Sequence, residues 1–331
     1  MNAQRLRKSP NVAIVGSTSL LGKELHDVLE ARGLPIGRLT LLETEEYAGL
    51  LQEFAGEIRI TQVIAPSAFD DIDIAFFACS PEIMRSYMAS GATFPELTID
   101  LTQAGQSGTT YLHGISDVRL LKSHGYFVNP HPAAIAIGRI LSSLHNTFVV
   151  QSARVTLLEP ASERGNAGVD ELQEQTVNLL NFQQVQSKVF TGQLAFNILS
   201  ETEASERTEF RILEQLAAVL GQTVPKPAIT ALQVPVFHSY TFAISVSLLE
   251  SPLIEDLLNH FGRSSAFSVD KSVGGPSPIA VVGTDKIHLG RCRVVDPGKY
   301  EIFAVADNLR LAASNAVQMA EHIMLAPTID A

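Results

Sequence analysis

Apolar residues in the first 130 positions come in short solid runs, each closed by small or polar residues. Residues 11–15 (NVAIV) form one such run, and Gly16 ends it. A strand buried on both faces reads this way. Beyond a polar turn, Leu20, Leu21, Leu25, Val28 and Leu29 recur at helical spacing. Residues 38–42 and 57–63 alternate as strands do. Residues 72–79 are a second solid run, closed by Ser80 and Pro81, with a helical stretch behind it. Residues 97–101 and 126–128 read as two more strands. Strands alternating with helices predict βαβ units and a parallel sheet covered on both faces. The expected class is α/β, with a doubly wound parallel sheet.

The pattern changes near residue 130. Helical spacing over 133–144 precedes a long strand at 148–158, and the glutamine-rich 167–185 and then 207–220 read as helices. Long β-rich runs come next at 228–236, 241–249, 287–295 and 300–306. This predicts an α+β second domain with a mixed or antiparallel sheet. Residues 309–324 form a last helix, apolar along one face and suited to pack back on the first domain. The expected division is 1–130 with 309–331 against 131–308.

Composition narrows the function. A chain of 331 residues suits two cores of ordinary size, and 46% hydrophobic with 18% charged residues is a globular balance. The net charge of −11 argues against nucleic acid or an anionic membrane as partner, since both select basic surfaces. Two cysteines, Cys79 and Cys292, rule out a disulfide framework or a multi-cysteine metal site. No signal-peptide core and no apolar run of about 20 residues is present, so a cytoplasmic protein is expected.

The first strand and helix are joined by Gly16-Ser17-Thr18-Ser19-Leu20-Leu21-Gly22. In a dinucleotide-binding turn, one glycine makes the tight turn and another lets backbone approach a phosphate. A third lets the helix pack closely on the strand. Gly16 and Gly22 hold the outer positions, but the middle one is Ser19, whose Cβ crowds the phosphate approach. The turn supports a Rossmann-like domain, either cofactor-binding or empty.

With these residues in place the chain resembles the aspartate-semialdehyde dehydrogenase family. The turn is similar to that family's G-x-T-G-x-x-G, and Ser162, Gly165, Ala167, Gly168, Glu171 and Leu172 resemble its S-G-A-G-x-A-G-x-x-E-L segment. Gln193-Leu194-Ala195-Phe196-Asn197, Val234-Pro235-Val236, Asp307-Asn308-Leu309-Arg310 and Asn315-Ala316-Val317-Gln318 match further signatures in family order. The resemblance implies an N-terminal NADP-binding domain and a second domain for catalysis and dimerisation. It implies a homodimer, in which apolar strands such as 244–249 would suit a sheet face covered by the twin subunit, or would instead be buried within one subunit. In working members a cysteine thiolate attacks the carbon, with a histidine as acid/base and arginines holding carboxylate and phosphate.

The resemblance also exposes departures. The stretch matching the family's nucleophile motif is Asn129-Pro130-His131-Pro132-Ala133-Ala134, and Pro132 stands in place of cysteine. Gln233 and Tyr240 occupy the arginine and histidine positions, Glu159 that of a glutamine orienting the thioester, and Gln106 that of a phosphate-contacting arginine. Glu209 and Arg211 lie where the family binds phosphate, or simply on a solvated helix face. The second cofactor loop, glycine-rich in the family, reads Phe77-Ala78-Cys79-Ser80-Pro81, and Asn315 is the matching position in the last helix. Cys79 is a thiol near the nicotinamide pocket or a small buried residue, and Cys292 reads as core. His131, His238, Tyr240 and Glu159 are types suited to acid/base or metal work, yet no metal-ligand spacing accompanies them.

Three functions are compatible with these residues. The chain resembles the catalytically degenerate Usg-type paralogues of the family, which implies a binding or regulatory role with NADP binding weak or lost. A second reading keeps NAD(P) and rearranges the oxidoreductase site. A third is a non-redox enzyme using His131, Tyr240 or Glu159.

Overall fold

A computed structural model describes residues 7–91, 93–104, 108–121, 124–200 and 202–325. The chain divides into two units, residues 1–130 with 312–331 and residues 131–311.

The first unit runs β1 (Asn11–Val15), α1 (Leu20–Arg32), β2 (Arg38–Glu43), β3 (Leu51–Phe54), β4 (Glu57–Ile60), β5 (Gln62–Val63) and β6 (Ile74–Phe77). It continues with α2 (Pro81–Ala89), β7 (Leu97–Asp100), β8 (Thr109–Thr110) and β9 (Gly125–Val128). Seven strands form one sheet in the order β5-β2-β1-β6-β7-β9-β8, and every pairing is parallel. Side chains alternate across β1, so Val12 and Ile14 enter one core while Ala13 and Val15 enter the other. The first core is closed by Leu25 and Leu29 of α1 and by Ala313, Ala316, Val317 and Ala320 from the C-terminal helix. The second gathers Phe77, Met84 and Tyr87 around Phe69. Burial of each large apolar side chain stabilises by roughly 1.5–3 kcal/mol, so both faces must stay covered.

The second unit runs α3 (Pro132–Phe148), β10 (Val150–Glu159), α4 (Gly165–Leu180), α5 (Thr202–Leu220), β11 (Ala228–Gln233) and β12 (Tyr240–Leu248). It continues with α6 (Ile254–Gly262), β13 (Phe267–Val269), α7 (Pro278–Val281), β14 (Ile287–Asp296) and β15 (Lys299–Ala306). The last helix, α8 (Asn308–Leu325), starts in this unit and ends in the first. The sheet order is β11-β10-β12-β15-β14-β13, parallel at its two outer pairs and antiparallel between. The α/β class with a mixed second sheet is as the sequence implies. Register sets which side chains meet at the sheet end: Glu159 pairs with Gln233, and Leu158 with Thr241. Tyr240 therefore falls at the same end as Glu159 and Gln233.

Several expectations change. The strand expected over 57–63 is β4 and β5, and β4 is half of a hairpin with the unforeseen β3. Thr61 makes the break: its hydroxyl donates to the Tyr47 carbonyl and accepts the Leu50 N–H, pulling the chain out of line. Helix α4 ends at Leu180 rather than 185, because Phe182 turns back with φ +57°. The apolar run of β12 is buried on one face only, its other face exposing Ala243, Ser245 and the following Leu249. Ile244, Val246 and Leu248 are buried within the unit, alternating with Ser245 and Ser247.

The glycine turn is fixed by close approach. A Cβ on Gly22 would meet the Gly16 carbonyl oxygen at 2.1 Å, whereas one on Gly33, the left-handed C-cap of α1, meets nothing within 4 Å. Gly33→Ala should therefore cost about 1 kcal/mol through its positive φ alone. Gly22→Ala should cost at least about 1–3 kcal/mol, because backbone must move. Urea unfolding of both variants checks the order.

Candidate functional site

At the mouth of the first sheet, Gly16 adopts φ +83° because its chain passes against Cys79: a Cβ there would lie 2.6 Å from the Cys79 backbone. Ser19 is the N-cap of α1. Its hydroxyl accepts the Gly22 N–H at 2.8 Å and donates to the Ala78 carbonyl at 2.9 Å, tying the turn to the end of β6. The Thr18 N–H is taken by Glu43 Oε1 at 2.5 Å. Leu20 and Leu21 open the helix, where first-turn N–H groups have no intrahelical acceptor and suit an anion.

The loop 77–81, where the resemblance implies a second cofactor loop, is occupied by capping. Ser80 is the N-cap of α2, accepting the Ile83 N–H, and Pro81 is its first residue. The Cys79 thiol is buried and pushed up to about 12, by burial first and the Asp100 charge next, so it is no thiolate at neutral pH. Cys292, expected in the core, is only half-buried between the exposed Arg291 and Arg293, and partial burial pushes it up to about 11. Asn315 is fully buried, and its amide donates to Asn129 Oδ1 at 2.7 Å and to the Tyr111 carbonyl while its oxygen accepts the His113 N–H. It ties α8 to the strand ends of its own unit.

In the second unit, His131 is the N-cap of α3. Its Nδ1 accepts the Ala133 N–H at 3.2 Å, and its own N–H donates to Gln215. That lone pair leaves the ring proton on Nε2, which faces Glu163 Oε1 at 2.8 Å. The Tyr240 hydroxyl donates to Glu163 Oε2 and lies 3.4 Å from His131 Nε2. Pro132 is the first helical residue, a position whose N–H would have no helical partner in any case.

Asn308 holds this cluster together. Its Oδ1 accepts the Ser239 N–H at 3.0 Å, and its Nδ2 donates to Ser162 Oγ at 3.1 Å. Ser162 precedes Glu163 and Ser239 precedes Tyr240, so one amide fixes both backbones. Burial pushes the Glu163 carboxyl up. The pull of His131, the Tyr240 hydroxyl and the Arg164 charge outweighs this and sets it below the usual glutamate range. Burial and the Glu163 and Glu159 charges push Tyr240 well above the ordinary tyrosine value, so it is a phenol at neutral pH.

Of the expected site residues, His131 and Tyr240 converge, but the carboxylate between them is Glu163, not Glu159. Glu159 is fully buried and faces Arg164 Nη2 at 3.8 Å. Gln233 is also fully buried. Its amide donates to the Glu159 carbonyl at 2.8 Å, and its Oε1 accepts no hydrogen bond from the described residues. No contact brings His238 into the cluster among the described residues. Glu209 accepts the Ala231 N–H at 2.7 Å and so ties α5 to the outer strand β11, while Arg211 is half-buried two residues along the helix. Gln106 lies outside the described residues. Sequence reasoning passes over Glu163, whose signal is a charge between the motif residues Ser162 and Gly165, and Glu43, whose signal is an acid closing a predicted strand.

No group of three or more His, Cys, Asp or Glu among the described residues is arranged to hold a metal ion. No helix among them is long and apolar enough to cross a membrane.

Residues 11–132 match the NAD binding domain of semialdehyde dehydrogenases and residues 141–311 their dimerisation domain, so the chain belongs to the semialdehyde dehydrogenase family. Among individual proteins it is similar to the aspartate-semialdehyde dehydrogenase of Rickettsia conorii, 25% identical over 335 residues covering 96% of this chain and 99% of that one. It is also similar to the USG-1 protein homolog of Pseudomonas aeruginosa, 28% identical over 325 residues covering 94% and 96%. Among solved structures, a probable aspartate-semialdehyde dehydrogenase from Pseudomonas aeruginosa superposes with a TM-score of 0.87 at 27% identity, covering 97% of this chain and 99% of that one.

The depressed Glu163 makes stability depend on pH. Its folded value lies below the unfolded one of about 4.3, so its contribution is present above that value and is lost as pH falls through the folded value. Glu163→Gln should therefore destabilise at pH 7 by about 1–3 kcal/mol, and the gap from the native protein should narrow below about pH 4. Denaturant melts at both pH values check this.

Proposed function

We propose that this chain is a semialdehyde dehydrogenase homologue retired from the family's thioester chemistry, acting through binding or regulation in the cytoplasm. The observation that carries the reading is Pro132 at the start of α3, where the resemblance places the nucleophile. A helix start is favourable for a thiolate, and proline offers no nucleophile there.

The surroundings support it. An acid/base histidine needs a nitrogen free to exchange protons with substrate. At the matching position stands Tyr240, a phenol whose hydroxyl is committed to Glu163. The arginine position is Gln233, which carries no charge to hold a carboxylate. His131 is engaged at both ring nitrogens. NADP binding is weakened too, since Ser19 and Ser80 cap helices where the family turns carry glycine.

With aspartate semialdehyde, phosphate and NADP, no reduction of NADP above a buffer control is expected. Pro132→Cys alone should stay inactive, because Gln233 and Tyr240 remain. Turnover by the unaltered protein would defeat the reading.

The chain forms a homodimer through its second unit. Support comes from the family's dimerisation domain and from exposed apolar residues: Phe196 and Ile198, 69% and 59% exposed, line a groove of about 530 Å³ with Val234 and Pro235. Contiguous apolar surface of this kind marks interaction sites. Sedimentation should give twice the chain mass, and Phe196→Glu with Ile198→Glu should shift it toward monomer. A native monomer at micromolar concentration would contradict this.

A further inference from the structure

Strand β2 ends at Glu43, which is 3% exposed, and its Oε1 accepts the Thr18 N–H at 2.5 Å and lies 3.4 Å from the Ser17 hydroxyl. Gln52 Nε2 in turn donates to Ser17 Oγ at 3.3 Å. Oε2 makes no hydrogen bond with the described residues. The carboxylate thus belongs to the glycine turn itself, with one oxygen spent on the turn and one left over.

Its place in the sheet gives this meaning. The strand order runs β5-β2-β1 to one side and β6-β7-β9-β8 to the other, so the order of strand addition switches between β1 and β6 while the strands stay parallel. In open parallel sheets ligands lie beyond the carboxyl ends of the strands at such a switch point. A dinucleotide there sets its pyrophosphate on the N-terminus of the first helix and its adenosine ribose beside the end of β2. An acid at that position accepts from the ribose diol and repels a phosphate on the 2′ oxygen.

The residues around Glu43 sharpen the choice. Glu45 and Glu46 follow in the next turn, both exposed. The cations of the neighbouring segments are committed elsewhere: Arg38 to Asp71, and Arg59 to the Leu39 carbonyl and Glu57. No described contact offers a positive charge for a 2′-phosphate at the end of β2. The set of acceptors matches a free ribose diol, whose hydroxyls donate, and does not match its phosphate ester.

We propose that the first unit takes a dinucleotide whose adenosine ribose carries a free 2′-hydroxyl, and that Glu43 discriminates against the 2′-phosphorylated form. The proposal rests on the first unit retaining a dinucleotide crevice, and it is independent of whether any redox chemistry remains.

ADP-ribose and 2′-phospho-ADP-ribose test it, since neither carries nicotinamide and neither reports on turnover at Pro132. Calorimetric titration of the full chain should show ADP-ribose binding at least about tenfold tighter than its 2′-phosphate. NADH and NADPH should rank the same way by nicotinamide fluorescence. Glu43→Gln keeps an oxygen for the Thr18 N–H and removes the charge, so it should narrow the ratio to within about threefold. Glu43→Asp keeps the charge and should preserve the preference. Equal or reversed affinities in the native protein would overturn the proposal. So would a ratio unchanged in Glu43→Gln, or no binding of either ADP-ribose at millimolar concentration. Semialdehyde turnover, by contrast, would defeat the retired-enzyme reading and leave this one standing.

Discussion

A carboxylate taken out of water has to be met by donors, and this chain is organised locally around glutamates under that demand. Glu171 is the plainest case: buried on α4, it accepts the N–H groups of Lys188, Val189 and Phe190 and one hydrogen of Gln175. Those contacts shape the loop behind α4, and Gln175 continues the work by accepting from Leu194 and Ala195. Glu43 does the same for the glycine turn, and Glu163 for the start of α3 and the start of β12. In each case the acid is fixed by sequence, and the backbone around it settles to satisfy the charge.

This explains how the second unit keeps a shaped, polar interior around the start of α3. His131, Glu163 and Tyr240 form a closed set, with each proton assigned and each lone pair that matters occupied. A site that turns over needs at least one group left unsatisfied until substrate arrives. Among the described residues around the cluster, the Gln233 oxygen, a neutral acceptor, and the Ser239 hydroxyl are buried without a hydrogen-bond partner. A neutral acceptor holds a donor in place and does not activate it.

The sequence carried the architecture well because it depends on periodicity. Solid apolar runs such as 11–15 and 72–79 announced strands buried on both faces. Strand β4 falls within the alternation at 57–63, but its hairpin partner β3 was not legible, since Leu51 is exposed and only Phe54 at its end is buried. The candidate site was half legible. His131 and Tyr240 could be placed from motif positions, but choosing Glu163 over Glu159 required the sheet register and the Asn308 amide. These link residues 146 and 69 positions apart, beyond the range of any local pattern.

The division of α8 between the units has a consequence for synthesis. Ala313, Ala316, Val317 and Ala320 complete the core of the first unit, yet they are translated after every residue of the second. Until α8 is made, the sheet face formed by Val12, Ile14, Phe76 and Ile99 has the cover of α1 but lacks that of the last helix. The second unit is the one that can finish early. Vectorial folding is thereby inverted: the part made first matures last, and a chain stopped short of residue 312 leaves its oldest segment in need of a chaperone.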